Sequence, residues 1–424
     1  MSRLCLATSL LLLCLFSCVH VCAQDDSQLE LRLNPAIDTC STDTAFSSYP
    51  FLKTEYNRIS LNGADWGELM ERFDAAARGE RLFSIVYLGD SHVQADFNVA
   101  EMRRYLSDYI PLAGRGLIVP FKLAATNQPL DYTLRTTAPY VTSKLMKQPW
   151  PAAMPFTGIG LQPEAATFSL DISCCTPFSR LRILHKNDAP AVTGIYDEVG
   201  GAINFRTDSA GIFLDNKTTS VRLALDGDKK TVIGGIELMA DSVGLVIHSI
   251  GNNGATYSSY GLIEGFGSQL AALVPDMIVI DLGTNEAFGG KSRESIENDI
   301  DNLLFTLRRH HPDAGIVLVS PPECFKKSTR RYKDKKGRWR RKSIKVVNMK
   351  VHAIAGIITE YAEKHGIACY NRNILAGGEG AAKKMQEASL LGRDGVHYTQ
   401  NGYVLWGRLT AMALIETLSA KKYD

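Results

Sequence analysis

From Leu82 onward, runs of consecutive apolar residues alternate with segments whose apolar positions recur at helical spacing. LFSIVYLG (82–89) has no polar face and is followed by the amphipathic NVAEMRRYLSDYI (98–110). VGLVIHSIG (243–251), MIVIDLG (277–283), GIVLVSPP (315–322) and GIACYN (366–371) repeat the apolar run. Between them SQLAALV (268–274) and segments from about Ser292 to His310 and Ile344 to His365 repeat the helical pattern. A strand that is apolar throughout must be covered on both faces, so this rhythm predicts a parallel sheet between two layers of helices.

The rhythm is interrupted between about Pro120 and Asp241. Helical periodicity fades there, and short β-favouring runs stand between turn residues: ATFSLDI (166–172), RLRILHK (180–186), VTGIYDE (192–198), GAINFRT (201–207), TSVRLALDG (219–227) and VIGGIELMA (232–240). Strands at such spacing predict a β-sandwich inserted into the α/β domain. The expected organisation is a first α/β part at 61–119, the β insertion at 120–241 and a second α/β part at 242–424.

The N-terminus changes the picture of where the protein works. Arg3, an apolar stretch from about Leu4 to Val19 and Val21-Cys22-Ala23 have the order of a secretory signal peptide, expected to occupy 1–23 and to leave Gln24 first. The stretch is shorter than the roughly 20 residues a spanning helix needs. Leu15-Phe16-Ser17-Cys18 loosely matches a lipoprotein cleavage site, so lipid attachment at Cys18 is the alternative. The product is expected in the periplasm or at the cell surface, with a polar leader at 24–60 and no later membrane span. Four of the nine cysteines leave with the signal peptide. The five that remain (Cys40, Cys174, Cys175, Cys324, Cys369) make neither a disulfide scaffold nor a metal-site spacing. Net charge is +2 over 424 residues, which gives no whole-protein field favouring nucleic acid. Nothing in the composition sets the oligomeric state.

Candidate chemistry lies at the ends of the apolar runs. Gly89-Asp90-Ser91-His92 follows the first, where a serine hydroxyl would stand at the carboxyl edge of the sheet. Serine needs an imidazole to take its proton, and the imidazole needs a partner to hold its tautomer. Asp394-Gly-Val-His397, on one segment before the last helix, supplies both. Asn285, in Gly283-Thr-Asn-Glu286, is a candidate amide donor to an oxyanion, and Gly254, in Asn252-Asn-Gly254, a candidate backbone donor. Ser91 would add its own N–H. Each signal alone is equally a capping or turn residue. His92 adjoins the serine, but neighbouring side chains diverge, so it is expected to be structural or to touch substrate.

Together, Ser91, Gly254, Asn285 and Asp394/His397 resemble, in identity and order, the four blocks of the SGNH (GDSL-like) hydrolase superfamily. The resemblance implies a flavodoxin-like three-layer α/β/α fold and ester hydrolysis through an acyl-enzyme on serine, with no metal or organic cofactor. Glu286 departs from the usual Gly-x-Asn-Asp block. His92 after the serine, Gly114-Arg115-Gly116, Gly377-Gly378 and the β insertion resemble the branch containing peptidoglycan O-acetylesterases, where the inserted module is carbohydrate-binding-like. This implies an O-acylated glycan, peptidoglycan first, as the substrate. An O-acetyltransferase using the same residues, or a silent glycan-binding protein, are the competing readings. About eleven Lys and Arg fall within the 17 positions 326–342, with an Asp334-Lys-Lys-Gly337 turn, which suggests a hairpin-like loop at the active-site edge. Its Tyr332, Trp339 and Arg338 are candidate substrate-binding residues, the rings to stack on sugars and the cations to pair with carboxylates or phosphates.

Overall fold

The computed structural model describes residues 48–419, so the expected signal peptide, Cys18, Cys40 and most of the leader lie outside the described residues. From Phe51 onward the chain forms one unit built on two large sheets.

The first sheet runs in the order Ile59–Ser60, Ala368–Tyr370, Gly315–Val319, Met277–Asp281, Leu82–Gly89, Gly244–Gly251. All pairings are parallel except that of the two-residue edge strand Ile59–Ser60. Counted along the chain, the five parallel strands stand in the flavodoxin-like order 2-1-3-4-5. The first, Leu82–Gly89, therefore lies inside the sheet, one strand from the Gly244–Gly251 edge, at the point where the strand order reverses. Every residue from Phe83 to Gly89 is buried, as a strand covered on both faces requires. Helix Gly67–Ala77 inserts Leu69, Phe73 and Ala76, spaced by four and three, while Phe97–Leu106 packs beside the closing helix Gln400–Leu418. Truncating a fully buried side chain such as Leu88 would cost about 2–5 kcal/mol.

Three boundaries differ from expectation. The last residues of the expected leader belong to the sheet, because Ile59 and Ser60 pair with Tyr370 and Cys369. Residues 344–347, expected to open a helix, extend an antiparallel strand instead, and the helix runs Lys350–Lys364. Gly116–Ile118, expected in the first hydrolase part, pairs with Leu238–Ile236 of the inserted module.

The regular elements of the insertion are strands, but together with Gly116–Ile118 they form one hydrogen-bonded sheet of nine strands and not two separate sheets. The reason is the length of Thr167–Lys186 and Gly211–Asp226, each of which reads from sequence as shorter pieces. Register shifts between Phe213 and Thr218 and between Thr218 and Ser220 bend the pair, so that its two halves face each other. Leu170, Ile172 and Leu223 from one half share a core with Leu181, Ile236 and Leu238 from the other.

The module is fixed to the hydrolase by buried charge. Arg115 donates to Asp96, Asp131 and the Leu117 carbonyl, and Arg103 donates to Asp96 at 2.9 Å and to the Ile247 carbonyl. Gly116 has φ +81, a conformation that disfavours any side chain, which turns the chain sharply into the module. Among the described residues no helix is long and apolar enough to cross a membrane.

Candidate active site

The site forms at the carboxyl edge of the sheet, where the chain leaves Leu82–Gly89. Gly89 ends Leu82–Gly89 in a space where a Cβ would lie 2.3 Å from Val93 Cγ2 and 2.8 Å from the Asp281 carbonyl. Only glycine allows the chain to turn at once into the short helix Ser91–Gln94. Asp90 caps that helix, accepting the His92 N–H at 2.9 Å, and Ser91 takes its first position. A residue at that position has a backbone N–H with no intrahelical acceptor.

The structure brings Ser91, His397 and Asp394 together across some three hundred residues of sequence. His397 Nε2 lies 2.9 Å from Ser91 Oγ, and His397 Nδ1 lies 2.7 Å from Asp394 Oδ2. The other oxygen, Asp394 Oδ1, accepts the backbone N–H groups of Val396 at 2.9 Å and His397 at 3.0 Å. Partial burial raises the Asp394 carboxyl, but the imidazole hydrogen bond and the two backbone donors outweigh it and hold the group below the usual carboxylate range. It stays ionised at neutral pH and fixes Nδ1 as the protonated nitrogen, which leaves Nε2 to accept the serine proton. Gly395, at φ +81, makes the turn that carries the acid back to the imidazole.

The candidate oxyanion donors come from the neighbouring strand ends. Gly251 pairs with Gly89, and a Cβ on it would lie 2.2 Å from the Gln94 nitrogen, so the Gly254 turn is pressed against the serine helix. Gly254 has φ +84, and a Cβ there would meet nothing closer than Met146 Cγ at 3.9 Å. Glycine is therefore required there by the backbone conformation and not by crowding. Asn285 follows Met277–Asp281, and its Nδ2 already donates to Asp90 Oδ2 at 2.9 Å and to the Ala255 carbonyl at 3.0 Å. An amide has two hydrogens, so donation to an oxyanion would be shared with one of these acceptors.

Residues without a role in the sequence reading complete the frame. Asp90 holds both the serine turn and Asn285; burial pushes its carboxyl well above the usual range, and the nearby Asp281 and Glu286 carboxylates add to this. Behind it, Arg372 donates to Asp281, which also accepts Tyr87 Oη at 3.0 Å. Gln94 Oε1 accepts the Asn253 N–H at 2.9 Å, and its amide lies 2.8 Å from Asn127 Oδ1, tying the serine helix and the Gly254 turn to the chain entering the module. The Gly-Asp-Ser block could have flagged Asp90 as a double acceptor; nothing in spacing could have flagged Gln94 or Arg372.

His92 is buried, with Nδ1 3.2 Å from Tyr403 Oη and its ring 5.3 Å from that of His397. Burial, then the neighbouring His397 and Arg372, push it down to about 3, so it is neutral packing beside the imidazole. Tyr332, Arg338 and Trp339 stand on an exposed two-stranded hairpin, Phe325–Lys333 with Trp339–Val347. Its first residue meets the His397 segment, where the Phe325 N–H donates to the Gly395 carbonyl at 2.7 Å.

Residues 236–405 match the GDSL-like lipase/acylhydrolase family. The match includes Gly254, Asn285, Asp394 and His397 and begins within the last strand of the insertion, Val232–Met239, so Ser91 precedes it. No curated protein matches the chain. Among solved structures, the chain is similar to one described as a peptidoglycan O-acetylesterase in action, with 17% identity and a TM-score of 0.68, covering 85% of this chain and 99% of that one. At that identity the likeness is one of fold, and it spans both the α/β domain and the module. Smaller likenesses, too low in TM-score to carry an argument, are to a putative GDSL-like lipase from Parabacteroides merdae (22% identity, TM-score 0.30, 41% of this chain and 73% of that one) and an active-site mutant of a family two carbohydrate esterase from Clostridium thermocellum (12%, 0.27, 66% and 98%). With the family match over residues 236–405, the 2-1-3-4-5 sheet and the four blocks gathered at one edge, the chain carries a GDSL-like lipase/acylhydrolase domain and has the fold of an SGNH hydrolase with an inserted β-module.

Proposed function

We propose that the protein is an exported serine esterase that removes O-acyl groups, acetyl first, from a cell-envelope glycan such as peptidoglycan. The observation that carries the reading is the unbroken chain Asp394 Oδ2, His397, Ser91 Oγ, with contacts of 2.7 and 2.9 Å. In the first half-reaction Ser91 Oγ attacks the ester carbonyl while Nε2 takes its proton. The tetrahedral oxyanion is met by the N–H groups of Ser91 and Gly254 and by the Asn285 amide. Its collapse expels the sugar hydroxyl, protonated by the imidazolium, and leaves an acyl-enzyme. In the second half-reaction the same imidazole takes a proton from water, which attacks the acyl carbon and releases the acid and Ser91. The fold likeness to a peptidoglycan O-acetylesterase, module included, supports the glycan as substrate.

The test is acetate release from O-acetylated peptidoglycan and from acetylated xylan by the wild type and by Ser91→Ala. The proposal expects release by the wild type, faster from peptidoglycan, and none above background from the variant. Equal release by both proteins overturns the serine mechanism, and faster release from xylan overturns the substrate.

A further inference from the structure

We propose that one face of the Phe325–Val347 hairpin is a docking surface for a polyanionic glycan strand that delivers its ester to Ser91; this rests on the ester-hydrolysis reading above. In an antiparallel pair, directly opposite residues share a face and successive residues alternate. The register therefore puts Lys327 opposite Lys345, Arg331 opposite Arg341 and Lys333 opposite Trp339 on one face. All six are exposed, Trp339 to 60%. At the base of the other face Lys326, Ser328, Ile344 and Val346 are half-buried, so the cationic ladder is the side turned to solvent.

The ladder differs from what the sequence alone picks out. Arg338 and Arg340 each direct Nε at Asp334, at 3.0 and 3.2 Å, and Asp334 is the hairpin's one carboxylate. The five cations of the ladder have no carboxylate partner among the described residues. Arg331 and Lys333 lie over the Trp339 ring at 5.0 and 5.3 Å from its centre. Like charges set directly opposite each other repel, so the face is arranged for an anion that is not part of the fold.

Length and position say what kind of anion. A nine-residue strand is roughly 30 Å long, several times the screening length of about 8 Å at physiological salt. A small anion would neutralise one step of the ladder; a polymer with repeated carboxylates or phosphates spans it. The tip, Asp334-Lys-Lys-Gly-Arg338, offers no apolar residue to enter a bilayer. At its base the hairpin is joined to the active site, since Phe325 packs on Gly395 between Asp394 and His397, with a virtual Gly395 Cβ only 2.8 Å from Phe325 Cβ. A strand lying along the ladder leads to the imidazole, and Trp339 offers a ring for a sugar face.

The experiment compares O-acetylated polygalacturonate, with a carboxylate on each sugar, against O-acetylated xylan free of uronate. In the variant carrying Lys327→Gln, Arg331→Gln, Arg341→Gln and Lys345→Gln, the ratio of kcat/KM on the first to that on the second should fall about tenfold at low salt, mainly through KM. Half-molar salt should bring the wild-type ratio to that of the variant. The pair Arg338→Gln and Arg340→Gln, engaged with Asp334, should move the ratio less than about twofold. In a Ser91→Ala background, polygalacturonate binding should weaken with the same four substitutions. An unchanged ratio and unchanged binding overturn the docking proposal. Tighter hairpin-dependent binding to duplex DNA or to phosphatidylglycerol vesicles than to polygalacturonate overturns the choice of occupant. Absence of acetate release from both polymers by the wild type counts against the esterase reading, while the Ser91→Ala binding arm still judges the hairpin.

Discussion

Replacing Asp394 by Asn inverts a hydrogen bond without removing atoms. In the native loop one carboxylate oxygen accepts two backbone N–H groups, from Val396 and His397, at 2.9 and 3.0 Å, and the other accepts His397 Nδ1 at 2.7 Å. The Asn oxygen must stay with the two backbone donors, so its NH2 group faces Nδ1. Nδ1 then has to accept, the ring proton moves to Nε2, and Nε2 can no longer take the proton of Ser91. Loss of a correctly held tautomer costs about 10⁴ in kcat in serine hydrolases, or roughly 5 kcal/mol at 1.36 kcal/mol per tenfold. Asp394→Ala should be less harmful, because the native side chain is about half exposed, and water can reach Nδ1 and leave the tautomer free. Steady-state hydrolysis of a small aryl acetate by both variants measures this. A D394N enzyme within tenfold of the wild type, or a D394A enzyme slower than D394N, refutes the assigned role of Asp394.

Other perturbations follow from the same frame. Asn285→Ala should lower kcat on an aryl acetate by about 10²–10³ with a smaller change in KM, the loss of one oxyanion donor; a change confined to KM contradicts that role. Burial raises Glu286 to about 7 from 4.5, so its contribution to stability is complete below pH 4.5 and is lost as pH rises through 7. Glu286→Gln keeps an acceptor for the Tyr257 N–H, and its stability relative to the wild type should rise by up to about 3 kcal/mol between pH 5 and 8 in urea unfolding; a flat difference refutes it. Arg115→Met leaves Asp96 buried with Arg103 as its remaining guanidinium and should cost about 3 kcal/mol, read as a lower urea midpoint, whereas a loss under about 1 kcal/mol would contradict the buried-charge anchor.

Much of the catalytic domain was legible because its signals are local. A parallel strand buried on both faces must be apolar throughout, so 82–89, 277–281 and 315–319 stand out, and each site block follows a strand or precedes the last helix. What sequence could not supply were features made by distant pairing. Ile59–Ser60 is too short to have a period, and it is a strand only because the 368–370 strand lies beside it. Tyr132–Arg135, Tyr140–Lys144 and Ile159–Pro163 do not stand out, since their half-polar residues acquire a pattern only against distant partners: the first against Thr167–Lys186, the second against the third, and the third also against Val232–Met239. Ile344 and Val346 fit a helical period with 351, 354 and 358 as well as the strand alternation, and pairing across the hairpin decides for the strand. In the site, residue types and order gave Ser91, Asp394 and His397 as candidates; that Asn285 is already held by Asp90 and the Ala255 carbonyl is visible only in three dimensions.

The central claim is that Ser91 carries the acyl group between the two half-reactions. Mixing the protein with an aryl acetate, quenching in acid within the first turnovers and mapping peptides by mass spectrometry tests it directly. The account predicts one acetyl group on the peptide containing Ser91, localised to that residue and absent from Ser91→Ala. Acetate release at the wild-type rate with acetyl on another residue, or by Ser91→Ala itself, would contradict it.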